Sequence, residues 1–183
     1  MEAKITGQNI EGLFEIKAKN FVDKRGQFIS CFKENENVYK QAWGLNSIKQ
    51  VNISVNKKVG TIRGLHLQKK PFEEVKIVKC IKGKVWDVIV DLRKDSISFG
   101  KWLPFALSQE SNNSLIIPKG CAHGFQVLEK DSHLLYIHSE NWKSSSESGV
   151  VWNDEKLSIY WPFSAKNIST RDTRLPKLEF YEI

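Results

Sequence analysis

Between residues 75 and 139 the chain runs through five short apolar segments in close succession: VKIVKCI, KVWDVIVDL, SLIIP, GFQVL and HLLYIHS. Their β-branched and aromatic side chains suit a pleated, packed surface, and turn residues cut each run off before it reaches ordinary helix length. Lys82-Gly83-Lys84 divides two runs at hairpin distance, and Pro118-Lys119-Gly120 follows SLIIP as a turn. In KVWDVIVDL a period of two puts Trp86, Val88, Val90 and Leu92 on one face and Asp87 and Asp91 on the other, which predicts one packed and one polar face. Helical patterning is confined to ENVYKQAWG, residues 36–44, and a short stretch around Ser144 to Glu147. Many short strands with little helix predict an all-β, antiparallel sandwich or barrel. From about Lys166 the chain is irregular and is expected to fold back over the barrel.

A chain of 183 residues suits one core, and no repeat, low-complexity tract or linker divides it, so residues 1–183 are expected to form a single domain. Its hydrophobic content of 40%, with six Trp, excludes a disordered scaffold. No apolar stretch is long enough to span a membrane and MEAKITGQNIEG lacks the apolar run of a leader, so a cytoplasmic protein with no membrane partner is expected. Cys31, Cys80 and Cys121 have no paired spacing, which argues against a disulfide framework or a zinc knuckle. The net charge of +7 is compatible with an anionic ligand. The lysines are scattered rather than gathered in a stripe, so nucleic acid is not indicated.

Four local patterns place a charged or imidazole side chain near glycine or in a compact polar cluster: Asp23-Lys24-Arg25-Gly26, RGLHLQ (63–68), PKGCAHGF (118–125) and WNDE (152–155). Taken singly, each is as compatible with a plain turn as with a site. Together, in this order, they resemble the dTDP-4-dehydrorhamnose 3,5-epimerase family. The resemblance runs over nearly the whole chain, from FVDKRG (21–26) through QVNIS (50–54), RGLHLQ, Lys76, VDLRKDSISFGKW (90–102), IPKGCAHGF and WNDE to Trp161-Pro162 and STRD (169–172).

That resemblance implies a jelly-roll barrel of the cupin type with a few short helices, a homodimer, and a nucleotide-sugar substrate, with no cofactor and no metal. A ketone at carbon 4 acidifies the hydrogens on carbons 3 and 5, so inversion needs a base on one face, enolate stabilisation, and an acid on the other. His66 matches the family's base, and an imidazole titrating near pH ~6.5 suits that task. Asp172 matches the carboxylate that orients it. Lys76 matches the ammonium that stabilises the oxyanion, and Tyr136 the phenol that reprotonates the opposite face. Arg25 and Arg63 match diphosphate-binding positions, where guanidinium forks suit phosphate oxygens. His123 matches a second histidine that contacts the sugar, Gln50 and Asn52 the nucleotide end, and Trp142 a residue able to stack on the base. Strict strand alternation puts Arg63 and His66 on opposite faces, and a bulge at Gly64 is expected to bring them together.

The chain departs from the family pattern in three places. Ser30 stands where a glutamate is usual, Asn141 and Trp142 replace a tyrosine pair, and Glu74 replaces a glutamine two residues before Lys76. The first two concern the nucleobase end and leave thymidine and cytidine both open; the third alters the charge near Lys76. A 3,4-ketoisomerase of the same architecture carries a second histidine where this chain has Gln68. A 3-epimerase shares all the catalytic residues. A metal-binding cupin needs a closer ligand cluster than His66 and His123 provide, and a sugar-nucleotide binding module has no use for His66, Asp172 and Tyr136 together.

Overall fold

The computed structural model describes residues 2–5, 9–17 and 20–181, with the main chain alone for residues 2–5. Six strands form one sheet in the order β1 (Glu2–Ile5), β2 (Phe14–Lys17), β10 (Asn113–Ile117), β7 (Lys76–Lys82), β12 (Ser132–His138) and β5 (Gln50–Asn56). Five form the other: β13 (Glu147–Gly149), β6 (Ile62–Gln68), β11 (Cys121–Val127), β8 (Lys84–Asp91) and β9 (Trp102–Ser108). Among the described residues, β3 (Asn20–Asp23) and β4 (Gly26–Ile29) form a separate hairpin that pairs with neither sheet. Every named strand pairing is antiparallel. From β5 onward the chain passes between the two sheets at each connection except β8 to β9, giving a jelly roll.

Lys82-Gly83-Lys84 is therefore a corner and not a hairpin: β7 pairs with β10 and β12, whereas β8 pairs with β9 and β11. Gly83 makes the corner at φ 73°, where a Cβ would lie 2.5 Å from Ser132 Oγ. Turn residues specify that the chain bends, while the partner of each strand is decided by which buried faces meet.

Both faces of the central strands are covered. Between the sheets pack Val78, Cys80, Leu115, Ile117 and Leu134 from one side and Val85, Ile89, Leu107, Phe125 and Val127 from the other. Outside the six-stranded sheet, helix α1 (Asn37–Trp43) lays Tyr39 and Trp43 on Phe14, Ile16, Ile77 and Ile116. The two rings are one helical turn apart on one face, and burying each is worth roughly 1.5–3 kcal/mol. Outside the five-stranded sheet, Leu157, Leu178 and Tyr181 from the C-terminal segment cover Leu65, Val88, Val90 and Leu92. The alternation in KVWDVIVDL thus separates two buried faces, and Asp87 and Asp91 are fully buried rather than solvated. The helix expected around Ser144 to Glu147 is a turn leading into β13, because β6 has an open edge there for Glu147 to Gly149 to pair with.

Two of the motifs that carry the resemblance tie the fold together. The Asp91 carboxylate accepts from the Arg93 main-chain N–H, Nε and Nη2 and from the Ser96 and Ser98 hydroxyls, at 2.6 to 3.0 Å, and so ties the β8–β9 loop. Burial pushes its pKa up, but Arg93 and the two serines outweigh that and hold it at about 2. In WNDE, Asp154 accepts from Leu157 N at 2.9 Å and Leu178 N at 2.8 Å, pinning the C-terminal segment to the sheet it covers.

Candidate active site

A cleft of about 1020 Å³ opens between the sheets, with walls from β5, β6, β7, β11 and β12 and an edge from the C-terminal segment. The bulge in β6 shapes it. His123 pairs with His66 and Phe125 with Arg63, so Gly64 and Leu65 of β6 oppose Gly124 alone of β11 and Arg63 joins His66 on the inner face. Glycine is required on both strands. A Cβ on Gly64, at φ 123°, would lie 2.5 Å from Gly124 Cα, and one on Gly124 would lie 2.8 Å from the Arg63 carbonyl. The glycines of RGLH and AHGF thus serve each other, letting two backbones touch so that two side chains share a pocket.

His66 Nε2 lies 2.9 Å from Asp172 Oδ1, while Asp172 Oδ2 accepts the Gly64 N–H at 3.1 Å. Helix α2 (Thr170–Thr173) delivers Asp172, and its N-cap Ser169 accepts the Asp172 N–H. Burial raises the Asp172 pKa, but His66 and the Gly64 and Ser169 bonds outweigh it and hold the carboxyl well below the usual range. An ionised carboxylate only accepts, so in the neutral ring Nε2 carries the proton and Nδ1 keeps the lone pair. Arg171, which the sequence did not single out, bonds Glu147 at 2.7 Å and brings its guanidinium within 3.2 Å of His66 Nε2. Its place beside Asp172 in STRD was the one available signal.

The opposite wall comes from the other sheet. Lys76, 6% exposed, reaches Glu74 Oε1 at 3.0 Å, and Glu74 Oε2 lies 2.7 Å from His138 Nδ1. Burial pushes Glu74 up, but the Lys76 ammonium and His138 pull it down to about 2, so it is an anion. Tyr136 stacks on His138 at 5.8 Å and meets the His123 ring edge-on at 5.8 Å. Burial and the Asp87 charge push its phenol pKa well above the usual value, which keeps the hydroxyl protonated. His123 is itself held by the fully buried Asp87 at 2.8 Å. Sequence reasoning flagged Glu74 only as a departure and missed His138, because their meeting depends on the β7–β12 pairing.

Arg63 is anchored through Nε by Asn56 Oδ1 at 2.9 Å, with Lys57 and Lys58 on the same wall. Asn52 lines the cleft beside Trp142, and Gln50 bonds both, through Asn52 Oδ1 and the Trp142 N–H. Of the predicted site residues, Gln50 and Arg25 do not line the cleft; Gln50 bonds two that do, whereas Arg25 stands apart. It lies on the turn of the β3–β4 hairpin, outside the cleft, and forks onto Asp23. Among the described residues that hairpin pairs with neither sheet, and Arg25 is not among those that line the pocket. Among the described residues no three His, Cys, Asp or Glu side chains are grouped to hold a metal ion.

A sequence profile of the dTDP-4-dehydrorhamnose 3,5-epimerase family matches residues 7–179. The dTDP-4-dehydrorhamnose 3,5-epimerase of Shigella flexneri is 39% identical over 161 residues, 87% of this chain and 86% of that one. Among solved structures, the Legionella pneumophila dTDP-6-deoxy-D-glucose-3,5-epimerase in complex with dTDP-4-keto-L-rhamnose is 31% identical with a TM-score of 0.90, covering 99% of this chain and 95% of that chain. A 3'-monoepimerase from Streptomyces bikiniensis in complex with dTDP-quinovose is 30% identical with a TM-score of 0.85, covering 93% and 85%.

Proposed function

This chain belongs to the dTDP-4-dehydrorhamnose 3,5-epimerase family, and on that premise we propose that it inverts carbon 3 and carbon 5 of a dTDP-linked 4-keto-6-deoxyhexose. The observation that carries the reading is the opposition of His66, on the five-stranded sheet, to Lys76 and Tyr136 on the six-stranded sheet across one cleft. His66 Nδ1 takes the proton from carbon 3, the electron pair moves onto the carbon-4 oxygen, and the Lys76 ammonium stabilises that oxyanion. Collapse of the enolate draws a proton from the Tyr136 hydroxyl onto the same carbon from the other side. The ketone returns and the centre is inverted. Solvent then restores the phenol and removes the proton from His66, and the same cycle serves carbon 5. In this reading Arg63, with the lysines beside it, takes the diphosphate, and Trp142 with Asn52 and Gln50 takes the nucleoside.

In deuterated water, NMR of the dTDP-linked 4-keto-6-deoxyglucose should show label entering at both carbons, and more slowly with the CDP-linked sugar. Label at carbon 3 alone would reassign the chain as a 3-epimerase, and no label would end the epimerase reading.

The same proposal includes a homodimer. Phe21, Val22 and Phe28 on the β3–β4 hairpin are 69–74% exposed, and Val51, Ile53 and Val55 bare a second apolar strip on β5, which ends its sheet. A lone chain would leave both the strip and the open strand edge to solvent. A second copy covers them and gives Arg25 a diphosphate to reach, in its neighbour's cleft. Sedimentation should return twice the 21.1 kDa chain mass. Phe28→Asp should release monomers whose KM is raised, and a monomeric unmutated protein would refute the arrangement.

A further inference from the structure

Glu74 and His138 face the cleft, yet the reaction as derived gives them no task. They close a hydrogen-bond chain with a defined direction. The Trp142 main-chain N–H meets Gln50 Oε1 at 2.8 Å, Gln50 Nε2 meets Asn52 Oδ1 at 3.2 Å, and Asn52 Nδ2 meets His138 Nε2 at 3.3 Å. His138 Nδ1 then meets Glu74 Oε2 at 2.7 Å, and Lys76 Nζ meets Glu74 Oε1 at 3.0 Å. A main-chain N–H can only donate. Gln50 therefore turns its oxygen to Trp142 and its NH2 to Asn52, and Asn52 turns its NH2 to the imidazole. Nε2 of His138 must then be the nitrogen with the lone pair, and in the neutral ring the proton sits on Nδ1 and points at the carboxylate. Both oxygens of Glu74 are engaged, one by the ring and one by the ammonium.

An ammonium on a flexible four-carbon stem has no direction of its own. A carboxylate already fixed by a second partner supplies one, and oxyanion stabilisation depends on donors set in place before charge develops. We propose that Glu74 and His138 are positioning residues for Lys76, and that the chain through Gln50 and Asn52 ties that ammonium to the wall where the nucleoside lies. The inference rests on the epimerase reading, since the aim of Lys76 matters only where an enolate forms. The stack of Tyr136 on His138 brings the reprotonating phenol against the same ring.

Two measurements test it. In the ligand-free protein, ¹⁵N NMR of the imidazoles, with the His138 signals assigned by His138→Gln, should find the ring proton on Nδ1. Asn52→Asp, which offers Nε2 an acceptor in place of a donor, should put a proton on Nε2 as well. A proton on Nε2 of the neutral ring in the unmutated protein overturns the assignment. In turnover, Glu74→Gln should lower kcat about ten- to a hundredfold with KM changed less than about threefold. Made in a Lys76→Met background it should cost nothing further, because the residue acts through the lysine. Should Glu74→Gln fail to fold, His138→Gln is expected to give a smaller loss that likewise vanishes without Lys76. Equal losses with and without Lys76 overturn this assignment alone, whereas an unmutated protein that exchanges no substrate hydrogen overturns the epimerase reading itself.

Discussion

His66→Ala is expected to lower solvent exchange at carbons 3 and 5 together, by about 10³- to 10⁴-fold, with KM for the sugar nucleotide little changed. In the proposed mechanism one imidazole serves both centres, so the two losses should match. Binding survives because Arg63, held by Asn56, and the Gln50 and Asn52 wall do not depend on the ring. Deuterium wash-in followed by NMR reads both carbons in one sample. Retained exchange at either carbon would mean another base serves it. Asp172→Asn should come close to the same loss, since the amide can turn its NH2 toward Nε2 and favour the tautomer with no lone pair on Nδ1. The Asp172 carboxyl is held below its ordinary pKa, so its stabilising contribution is complete above about pH 4 and lost only as pH falls toward the folded value. It should add no limb to the rate profile above that pH.

Tyr136→Phe should separate the two halves of the reaction. With the phenol gone, His66 still removes the proton and Lys76 still receives the enolate, so exchange continues as deuterium returns from the His66 side with configuration retained. Inverted product should fall about 10²- to 10³-fold. The expected signature is recovered starting sugar carrying label at carbon 3. Burial and the Asp87 charge keep the phenol protonated at working pH, so the loss reflects a missing proton donor and not a missing phenolate. Equal losses in exchange and product would remove Tyr136 from the acid role and direct attention to His123, whose ring stands against it.

Much of this site was legible because its chemistry is carried by residue types in short patterns. His66 near Gly64, His123 beside Gly124 and Asp172 in STRD could be named through the resemblance those patterns carry together, and a bulge at Gly64 was expected because the resemblance puts Arg63 and His66, three residues apart, in one pocket. The reason for paired glycines was not legible. It is a backbone contact between β6 and β11, two strands about sixty residues apart in the chain, and no local pattern reports the distance between them. The placement of Arg25 was hidden in the same way, since a charged turn reads alike whether its hairpin lies over its own cleft or away from it. Glu74 looked like a change of charge and became one end of a chain only when His138 and Asn52 were set beside it.

By itself the sequence determined what is local and periodic: strands where apolar residues recur in short runs, bends at Gly83 and Gly120, the helix that ends at Gly44, and the acid, base and cationic groups available for chemistry. Only the tertiary structure decided which strand lies beside which. It made Lys82-Gly83-Lys84 a corner between sheets, buried both faces of KVWDVIVDL, and set His66 opposite Tyr136. The physical reason is one of range. Backbone propensity and side-chain alternation act over a few residues, whereas strand partners and facing walls are chosen when buried surfaces far apart in the chain close on one another.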